Sequence, residues 1–364
     1  MIEEFRLYDY RNYSQAALNF SGARLNVFIG SNGAGKSNLL EGIFFIGLLR
    51  SFRTAQLKEL IRFGRSNCRV EAAIHRAAYR ETFAVEYFSG GKRSLQIDGV
   101  PIGRSSEFIR NFQPVVFEPE DIQLLTGSSG RRRRFFDMFI SMNDPVYLST
   151  LHQYNLALRQ RNAALKAPKH GEALAAAFEP ILADAAVLIA GRRRAHTELL
   201  NRQIQALLAE NARGEERFAI EFHPSYPLEV EDYLTRFTME RQREQKKGST
   251  LFGPHLDDFD FFYQQKLMRT FASTGQCRLL ALYLKMAAVN ILNANKAKNR
   301  REVIVLVDDV TGELDDFNKT RFFATINQAD QAFFTFTEPP ADRFFAASRK
   351  FRVDQGTVER IDGN

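Results

Sequence analysis

The stretch FIGSNGAGKSNLLEGIFFIGLL, from Phe28 to Leu49, decides the fold of this chain. It is typical of a short apolar strand, a glycine-bearing loop that ends in Lys36 and Ser37, and an apolar helix. Gly30, four further residues and Gly35-Lys36-Ser37 match the phosphate-loop pattern in full, between the strand and the helix that the pattern requires. Such a loop brings backbone N–H groups close to phosphates, and the helix N-terminus adds partial positive charge. The stretch therefore predicts a nucleotide-binding α/β domain.

Each part of this loop has an expected task. The Lys36 ammonium would reach the β- and γ-phosphates, and the Ser37 hydroxyl would be a ligand of Mg²⁺. The expected cofactors are therefore ATP and Mg²⁺. The predicted nucleotide-binding residues of the loop are Gly30, Ser31, Asn32, Gly33, Ala34, Gly35, Lys36, Ser37 and Asn38.

A second acidic motif supports this interpretation. The residues VIVLVDD, 303–309, are typical of a buried strand that ends in two carboxylates. Asp308 could hold Mg²⁺ through water, and Asp309 could orient or polarise an attacking water. The alternative is an ordinary strand followed by a turn, which the phosphate loop makes less favourable. We therefore expect Lys36 and Asp309 to be catalytic, with Ser37 and Asp308 at the metal.

A third motif, Ser273-Thr274-Gly275-Gln276, opens a long helical pattern. It resembles the signature motif of ABC-type ATPases. That resemblance implies contact with the γ-phosphate of a nucleotide held by the other subunit of a dimer, and it adds Ser273, Gly275 and Gln276 to the predicted nucleotide-binding residues. The alternative is a helix cap by Ser273 with Gln276 completing a capping box, and both roles can hold together.

Composition narrows the class of protein. The chain has 364 residues, a formal charge of +7 and a pI of about 9.4. A basic balance favours a polyanionic partner, either nucleic acid or an anionic membrane, although many soluble proteins are mildly basic. The two cysteines, Cys68 and Cys277, form neither a disulfide framework nor a zinc pattern, which fits a reducing cytoplasm. No segment approaches about 18 uninterrupted apolar residues, so we expect no membrane association.

Patterning along the chain predicts an α/β region at each end and a helical region between them. Alternation of apolar residues indicates strands in roughly the first hundred residues, including a hairpin around the Gly90-Gly91 turn. Apolar residues recur at three- and four-residue intervals from about Ser129 to Glu210, which indicates helices. Strand-like patterns return in RFAIEFHP and FDFFYQ.

Arginines cluster in the predicted helical region. Arginine neutralises phosphates without reading bases, which suits DNA binding that is independent of sequence. The alternative is a solvated helix face or internal ion pairs, and four consecutive arginines cannot all face one way on a helix. The candidate DNA contacts are Arg131, Arg132, Arg133, Arg134, Arg159 and Arg161.

Taken together, these motifs resemble the RecF family of DNA replication and repair proteins. The resemblance covers nearly the whole chain and includes RLYDYRNY (6–13), SFRTAQLKELIRFG (51–64) and YNLALRQRN (154–162). It implies an α/β fold, an ABC-type ATPase head with mixed sheets plus an inserted, mainly helical second lobe. The expected boundaries are 1–125 and 215–364 for the head and 126–214 for the insert. Leu256 departs from the family, which typically has arginine there.

The same resemblance implies a function. ATP held at Lys36 of one subunit would be closed over by Ser273 and Gly275 of another, in an ATP-dependent homodimer. The dimer would hold double-stranded DNA near a single-strand gap, and it would help to load recombinase with RecO and RecR. Slow, DNA-stimulated hydrolysis would then release the DNA.

Two other function classes stay open at this point. The ATPase subunit of a membrane transporter would carry a switch histidine where this chain has Thr335 or Thr337, and it would lack the helical insert. A nucleotide-dependent scaffold that never hydrolyses ATP would not need the Asp308-Asp309 pair.

Overall fold

The structure is a computed structural model that describes residues 1–76, 79–109, 111–167, 171–209, 217–226, 229–296, 301–310, 314–341 and 343–361. The chain divides into two compact units, one formed by 1–119 with 289–364 and the other by 120–288.

The first unit contains two six-stranded sheets. One sheet is antiparallel, with the order β2-β1-β4-β5-β6-β7. The other has the order β15-β14-β3-β13-β12-β8 and is parallel except for β15. The elements of this unit are β1 (Ile2–Tyr10), β2 (Tyr13–Asn19), β3 (Leu25–Ile29), α1 (Lys36–Leu48), β4 (Asn67–His75), β5 (Arg80–Phe88), β6 (Arg93–Ile97), β7 (Val100–Pro101), α2 (Ser105–Phe108), β8 (Phe112–Phe117), β12 (Glu302–Asp308), α11 (Asp316–Ile326), β13 (Gln331–Phe336), β14 (Arg349–Asp354) and β15 (Thr357–Arg360).

The parallel sheet positions the site. Residues 303–307 of β12 are all buried, as expected for a parallel strand covered on both faces. The register pairs Asp308 of β12 with Thr335 of β13, and Phe336 of β13 with Ile29 of β3. The carboxyl ends of these three strands therefore meet at one edge, where ligands bind in open parallel sheets.

Helix α1 is buried on nearly every side, because it packs against both sheets of the first unit. Its apolar residues include Leu39, Leu40, Ile43 and Phe44. This burial fixes the direction of the helix and hence the direction of its N-terminus, which follows the phosphate loop.

The second unit combines helices with a three-stranded antiparallel sheet in the order β11-β10-β9. Its elements are α3 (Gln123–Thr126), α4 (Ser129–Asn143), α5 (Pro145–Leu165), α6 (Gly171–Ala176), α7 (Glu179–Ala209), β9 (Phe218–His223), α8 (Val230–Lys247), β10 (Asp258–Tyr263), β11 (Lys266–Leu267) and α9 (Met268–Phe271). A further helix, α10 (Thr274–Ala294), begins in this unit.

The second unit extends beyond the predicted insert, 126–214. It begins at 120 and ends at 288, because β9 and α8 pack against α7, and β10 packs against α4. The predicted boundary at 214 lies among residues 210–216, outside the described part of the chain. Helix α8 falls where strand-like patterns were predicted to return. It buries Tyr233 and Phe237, and Val230, Tyr233, Leu234 and Phe237 recur at three- and four-residue intervals, so a short helical pattern is present there.

Two helical segments of the described chain are long and apolar enough to cross a membrane by length and composition: Gly171–Ala209, which contains α6 and α7, and Thr274–Ala294, which is α10. Their apolar windows are 44% and 72% buried inside the structure. Core helices of folded domains pass the same test, so these two segments are weak evidence for a membrane span.

Candidate nucleotide-binding site

The phosphate loop connects β3 to α1 with a backbone that requires glycine. Gly33 and Gly35 have φ angles of +81° and +117°, in the left-handed region. A Cβ at Gly35 would lie 2.6 Å from Asn12 Nδ2 and 2.7 Å from the Tyr13 hydroxyl, so a larger residue does not fit. Within the described residues no side chain caps the N-terminus of α1, and its first-turn N–H groups can bind an anion.

Residues at the turn between β1 and β2 hold this loop through hydrogen bonds to its backbone carbonyls. Asn12 Nδ2 donates to the Ala34 carbonyl at 3.1 Å, and the Tyr13 hydroxyl donates to the Gly35 carbonyl at 2.9 Å. Asn38 Nδ2 donates to Asn12 Oδ1 at 2.8 Å. Burial raises the pKa of Tyr13, so its phenol stays protonated and remains a donor. Asn12 and Tyr13 were missed as site residues, although both lie in the RLYDYRNY stretch.

The C-terminal hairpin approaches the loop from another direction. A Cβ at Gly30 would lie 2.1 Å from the Val353 carbonyl oxygen, so β14 passes directly against the start of the loop. The Gly356 N–H, in the turn between β14 and β15, donates to the Ala34 carbonyl at 3.3 Å. Residues from both ends of the chain therefore hold the loop.

The Lys36 side chain folds back over the loop. Its ammonium donates to the Gly30 carbonyl at 2.7 Å and to the Ser31 carbonyl at 2.9 Å, and the residue is 8% exposed. Burial lowers the pKa of Lys36, whereas the carboxylates of Asp308 and Asp309 favour its charged form. A buried ammonium held by neutral carbonyls would gain interaction energy when an anion enters the loop.

The predicted metal residues, Ser37 and Asp308, are in direct contact. Ser37 Oγ donates to Asp308 Oδ1 at 2.9 Å. A serine oxygen and one carboxylate are a suitable protein share for Mg²⁺, which usually takes its other ligands from water and substrate phosphates. In the part of the chain that the structure describes, no group of three or more His, Cys, Asp or Glu side chains could hold a metal ion instead.

Thr335 links the two carboxylate positions. Its hydroxyl donates to Asp308 Oδ1 at 2.7 Å and accepts from the Asp309 backbone N–H at 3.1 Å. Asp309 has a φ angle of +51°, a backbone conformation that costs on the order of 1–3 kcal/mol outside glycine. Thr335 is 1% exposed, whereas Thr337 lies beyond β13 and is exposed. Of the two threonines noted at the switch position, Thr335 is the one that contacts the site.

Arg53 lies at the rim of this site. Its guanidinium donates to Asn38 Oδ1 at 2.6 Å, and its side chain is 45% exposed. It also approaches the buried carboxylate of Glu41, which accepts two hydrogen bonds from Arg11 at 2.8 Å each. Sequence reasoning did not identify Arg53 as a site residue, because nothing local marks an arginine as close to a loop fifteen residues earlier.

The signature residues form the predicted capping box at the start of α10. The Ser273 N–H donates to Gln276 Oε1 at 2.9 Å, and the Gln276 N–H donates to Ser273 Oγ at 3.3 Å. Ser273, Thr274 and Gly275 are nevertheless exposed, and a Cβ at Gly275 would meet open space. The cap therefore coexists with a surface that a ligand could reach.

Two of the six arginines predicted to contact DNA are buried, which corrects that prediction for them. Arg132 is 3% exposed and donates to both oxygens of Asp258, at 2.8 and 2.9 Å. Arg161 is fully buried and donates to Glu179 and Glu244. A buried guanidinium that is already paired with a carboxylate cannot reach a DNA phosphate without breaking that pair.

The other four arginines are at least partly accessible. Arg131 and Arg159 are exposed, and Arg133 and Arg134 are half-buried. Arg133 donates to the Asp257 carbonyl at 2.7 Å. The structure therefore keeps four of the six as candidates for contact with a polyanion.

Comparison with known proteins adds independent information. A family model described as the RecF/RecN/SMC N terminal domain matches residues 1–350. The chain is 35% identical over 371 residues to the DNA replication and repair protein RecF of Geobacillus kaustophilus (strain HTA426), with 98% of each chain covered. It is 33% identical over 378 residues to the protein of the same name from Lacticaseibacillus casei (strain BL23), with 99% of each covered.

Solved structures agree with these relatives. A structure described as the recombination mediator protein RecF-ATP in the RecFOR pathway has a TM-score of 0.87 and 29% identity, and it covers 99% of this chain and 97% of that one. The Smc head domain from Pyrococcus furiosus has a TM-score of 0.53 at 15% identity over 99% of this chain and 95% of that one, which shows a shared fold alone.

Proposed function

This chain belongs to the RecF family, and we propose from that premise that it is an ATP-dependent DNA-binding clamp in recombinational repair and replication restart. Its relatives are named DNA replication and repair proteins, and a structurally similar relative is described with ATP in the RecFOR pathway. The clamp would bind double-stranded and gapped DNA in the cytoplasm, and it would aid recombinase loading together with RecO and RecR.

The contact between Ser37, Asp308 and Thr335 beside the Lys36 ammonium carries this proposal. The loop N–H groups and Lys36 would bind the phosphates of ATP, and Lys36 would exchange its two carbonyl partners for phosphate oxygens. Ser37 and Asp308 would hold Mg²⁺, which when bound neutralises charge that develops on the phosphates. Asp309 would orient the attacking water.

We assign the exposed end of α10 to the partner's nucleotide. Ser273 directly precedes this helix, and Gly275 and Gln276 lie in its first turn, so this end offers positive charge and a hydroxyl to a γ-phosphate. Closing this end over a nucleotide held by a second copy would make the dimer depend on ATP. Slow hydrolysis would then open it and release DNA.

The experiment that tests the proposal is binding to a gapped DNA duplex at one fixed salt concentration, with and without ATP and Mg²⁺. We expect ATP to tighten binding about 5- to 150-fold, the usual range for coupling between two sites. In Lys36→Ala this gain should disappear while binding without ATP is unchanged. Binding that is weak and indifferent to ATP in the unmodified protein would contradict the clamp.

We propose that Arg131, Arg133, Arg134 and Arg159 supply phosphate contacts in the second unit, because they are the accessible members of the predicted set. In a variant with Arg131→Ala and Arg159→Ala, the dependence of DNA binding on salt should become weaker. The magnitude of the negative slope of log K, where K is the association constant for DNA, against log salt concentration should decrease by about 2, since each phosphate contact contributes about 1. Arg243→Ala, at an arginine of α8 that is 70% exposed, is the matched control and should not change the slope. An unchanged slope in the double variant would exclude these two residues as phosphate contacts.

A further inference from the structure

A tight turn in the first unit exposes an aromatic side chain. The Arg65 N–H donates to the Arg62 carbonyl at 3.0 Å, and Gly64 supplies the positive φ angle, +78°, that the turn requires. Phe63 occupies the remaining central position. Its relative exposure is 102%, the highest of the large apolar side chains in the described part of the chain.

This turn is fixed by its neighbours. The Arg62 N–H donates to the Asp9 carbonyl at 2.8 Å, and Ile61 forms an isolated antiparallel bridge with Tyr10. The Asp9 carboxylate lies 3.4 Å from the Arg62 guanidinium and 3.3 Å from the Arg65 guanidinium. One carboxylate facing two guanidiniums leaves a net positive charge beside the Phe63 turn.

A single exposed apolar side chain is common on protein surfaces. The combination here is more specific, because a ring held outward between two arginines is the arrangement with which proteins stack on a base and neutralise the phosphates beside it. We propose that Phe63 stacks on an unpaired base at the edge of a single-strand gap, with Arg62 and Arg65 on the adjacent phosphates. The inference rests on the proposed function and names a contact by which the clamp would distinguish a gap from continuous duplex.

Base accessibility explains why the gap is the partner. Bases inside a duplex stack on each other and present no open face to a side chain, whereas a gap leaves its bases unpaired. Phe63 would therefore add affinity at a gap and add none along continuous duplex. Arg62 and Arg65 would contribute to both, because phosphates are present in both.

The position of the turn also relates it to the nucleotide loop of the same unit. Asp9 lies near the end of β1, and Asn12 lies in the turn between β1 and β2. Asp9 holds the Phe63 turn, and Asn12 donates to Ala34 in the phosphate loop. The segment 9–12 therefore contacts both the Phe63 turn and the phosphate loop, which fixes the position of the turn relative to that loop.

The absence of tryptophan from the sequence permits a direct test. Phe63→Trp places the only indole of the protein at the tip of the turn, where its emission reports stacking. We expect quenching on addition of gapped duplex and no quenching with a continuous duplex of the same length. Val100→Trp, at a position of β7 that is 63% exposed, is the matched control and should respond to neither DNA.

Affinity provides a second readout. Phe63→Ala should bind gapped duplex about 5- to 100-fold more weakly than the unmodified protein does, and it should bind continuous duplex equally well. Phe63→Tyr should keep the preference for a gap.

If the unmodified protein binds DNA but Phe63→Trp is not quenched and Phe63→Ala keeps its preference for a gap, the stacking inference is wrong, whereas the proposed DNA-binding function is unaffected. Emission that changes with protein concentration in the absence of DNA would instead assign the turn to a contact between copies. Failure of the unmodified protein to bind any DNA would reject the proposed function itself.

Discussion

Replacement of Thr335 by valine is expected to lower the rate of ATP hydrolysis about a hundredfold and to leave the Kd for ATP nearly unchanged. Valine has nearly the shape of threonine but lacks the hydroxyl. The Asp309 N–H would lose its acceptor, and Asp308 would lose one of two donors. Both carboxylates would then be free to leave the orientation that the chemistry needs. Binding should persist, because Lys36 and the loop N–H groups do not depend on Thr335.

Two control variants make this prediction specific. Thr335→Ser keeps the hydroxyl and should hydrolyse ATP at close to the unmodified rate. Thr337→Val removes an exposed hydroxyl two residues later and should have no effect. The measurements are phosphate release under saturating ATP and nucleotide binding by equilibrium titration. If Thr335→Val hydrolysed ATP at the normal rate, the hydroxyl would have no role in orienting the carboxylates.

The second large effect concerns stability. Arg161→Met should destabilise the second unit by about 3–5 kcal/mol, because it removes the cation from two buried carboxylates. The Arg161 guanidinium donates to Glu179 at 2.9 Å, Glu244 at 2.6 Å and the Thr250 hydroxyl at 2.8 Å, and it lies 4.3 Å from the ring centre of Phe237. Glu179 keeps a second partner in Arg241, at 2.6 Å, so Glu244 would carry most of the penalty.

Hydrogen exchange of the most protected amides in α5 measures this loss of stability within one unit. Arg159→Met, two residues earlier on the exposed face of the same helix, is the matched control and should leave exchange unchanged. Adding Glu244→Gln to Arg161→Met should restore part of the stability, since the unpaired charge is then removed. If the α5 amides of Arg161→Met kept their normal protection from hydrogen exchange and this variant bound DNA more weakly, Arg161 would be a DNA contact after all, as the sequence predicted.

The fold class was predictable because its main signals are local. The apolar strand, glycine loop and apolar helix from Phe28 to Leu49 specify their own structure, and the α/β ATPase head is confirmed. Asp308 and Thr335 could be expected near the loop for one further reason, which is that the carboxyl ends of parallel strands meet at one edge. The hydrogen bonds from the Ser37 and Thr335 hydroxyls to the Asp308 carboxylate became evident only from the structure.

The sequence did not indicate which arginines are buried. Arg159 and Arg161 differ by two positions on α5, and that rotation around the helix places one in solvent and the other against Glu179 and Glu244. The partners lie far away in sequence, so no local pattern identifies them. Asn12 and Tyr13 escaped notice for the same reason, since their contact with the phosphate loop forms only in the folded unit.

The support of the phosphate loop by the C-terminal hairpin has a consequence for synthesis. The loop at residues 30–37 emerges from the ribosome long before β13 and β14, which flank β3, and before the turn at Gly356. Because the chain is made from its N-terminus, β3 has no partner in the parallel sheet until β13, at residues 331–336, has been made. The nascent protein is therefore unable to complete its nucleotide pocket before these strands have been made. A chain whose synthesis stops before β13 and β14 lacks both strands that flank β3 and the contact of Gly356 with Ala34, so we expect such a fragment to bind ATP more weakly than the protein that has them.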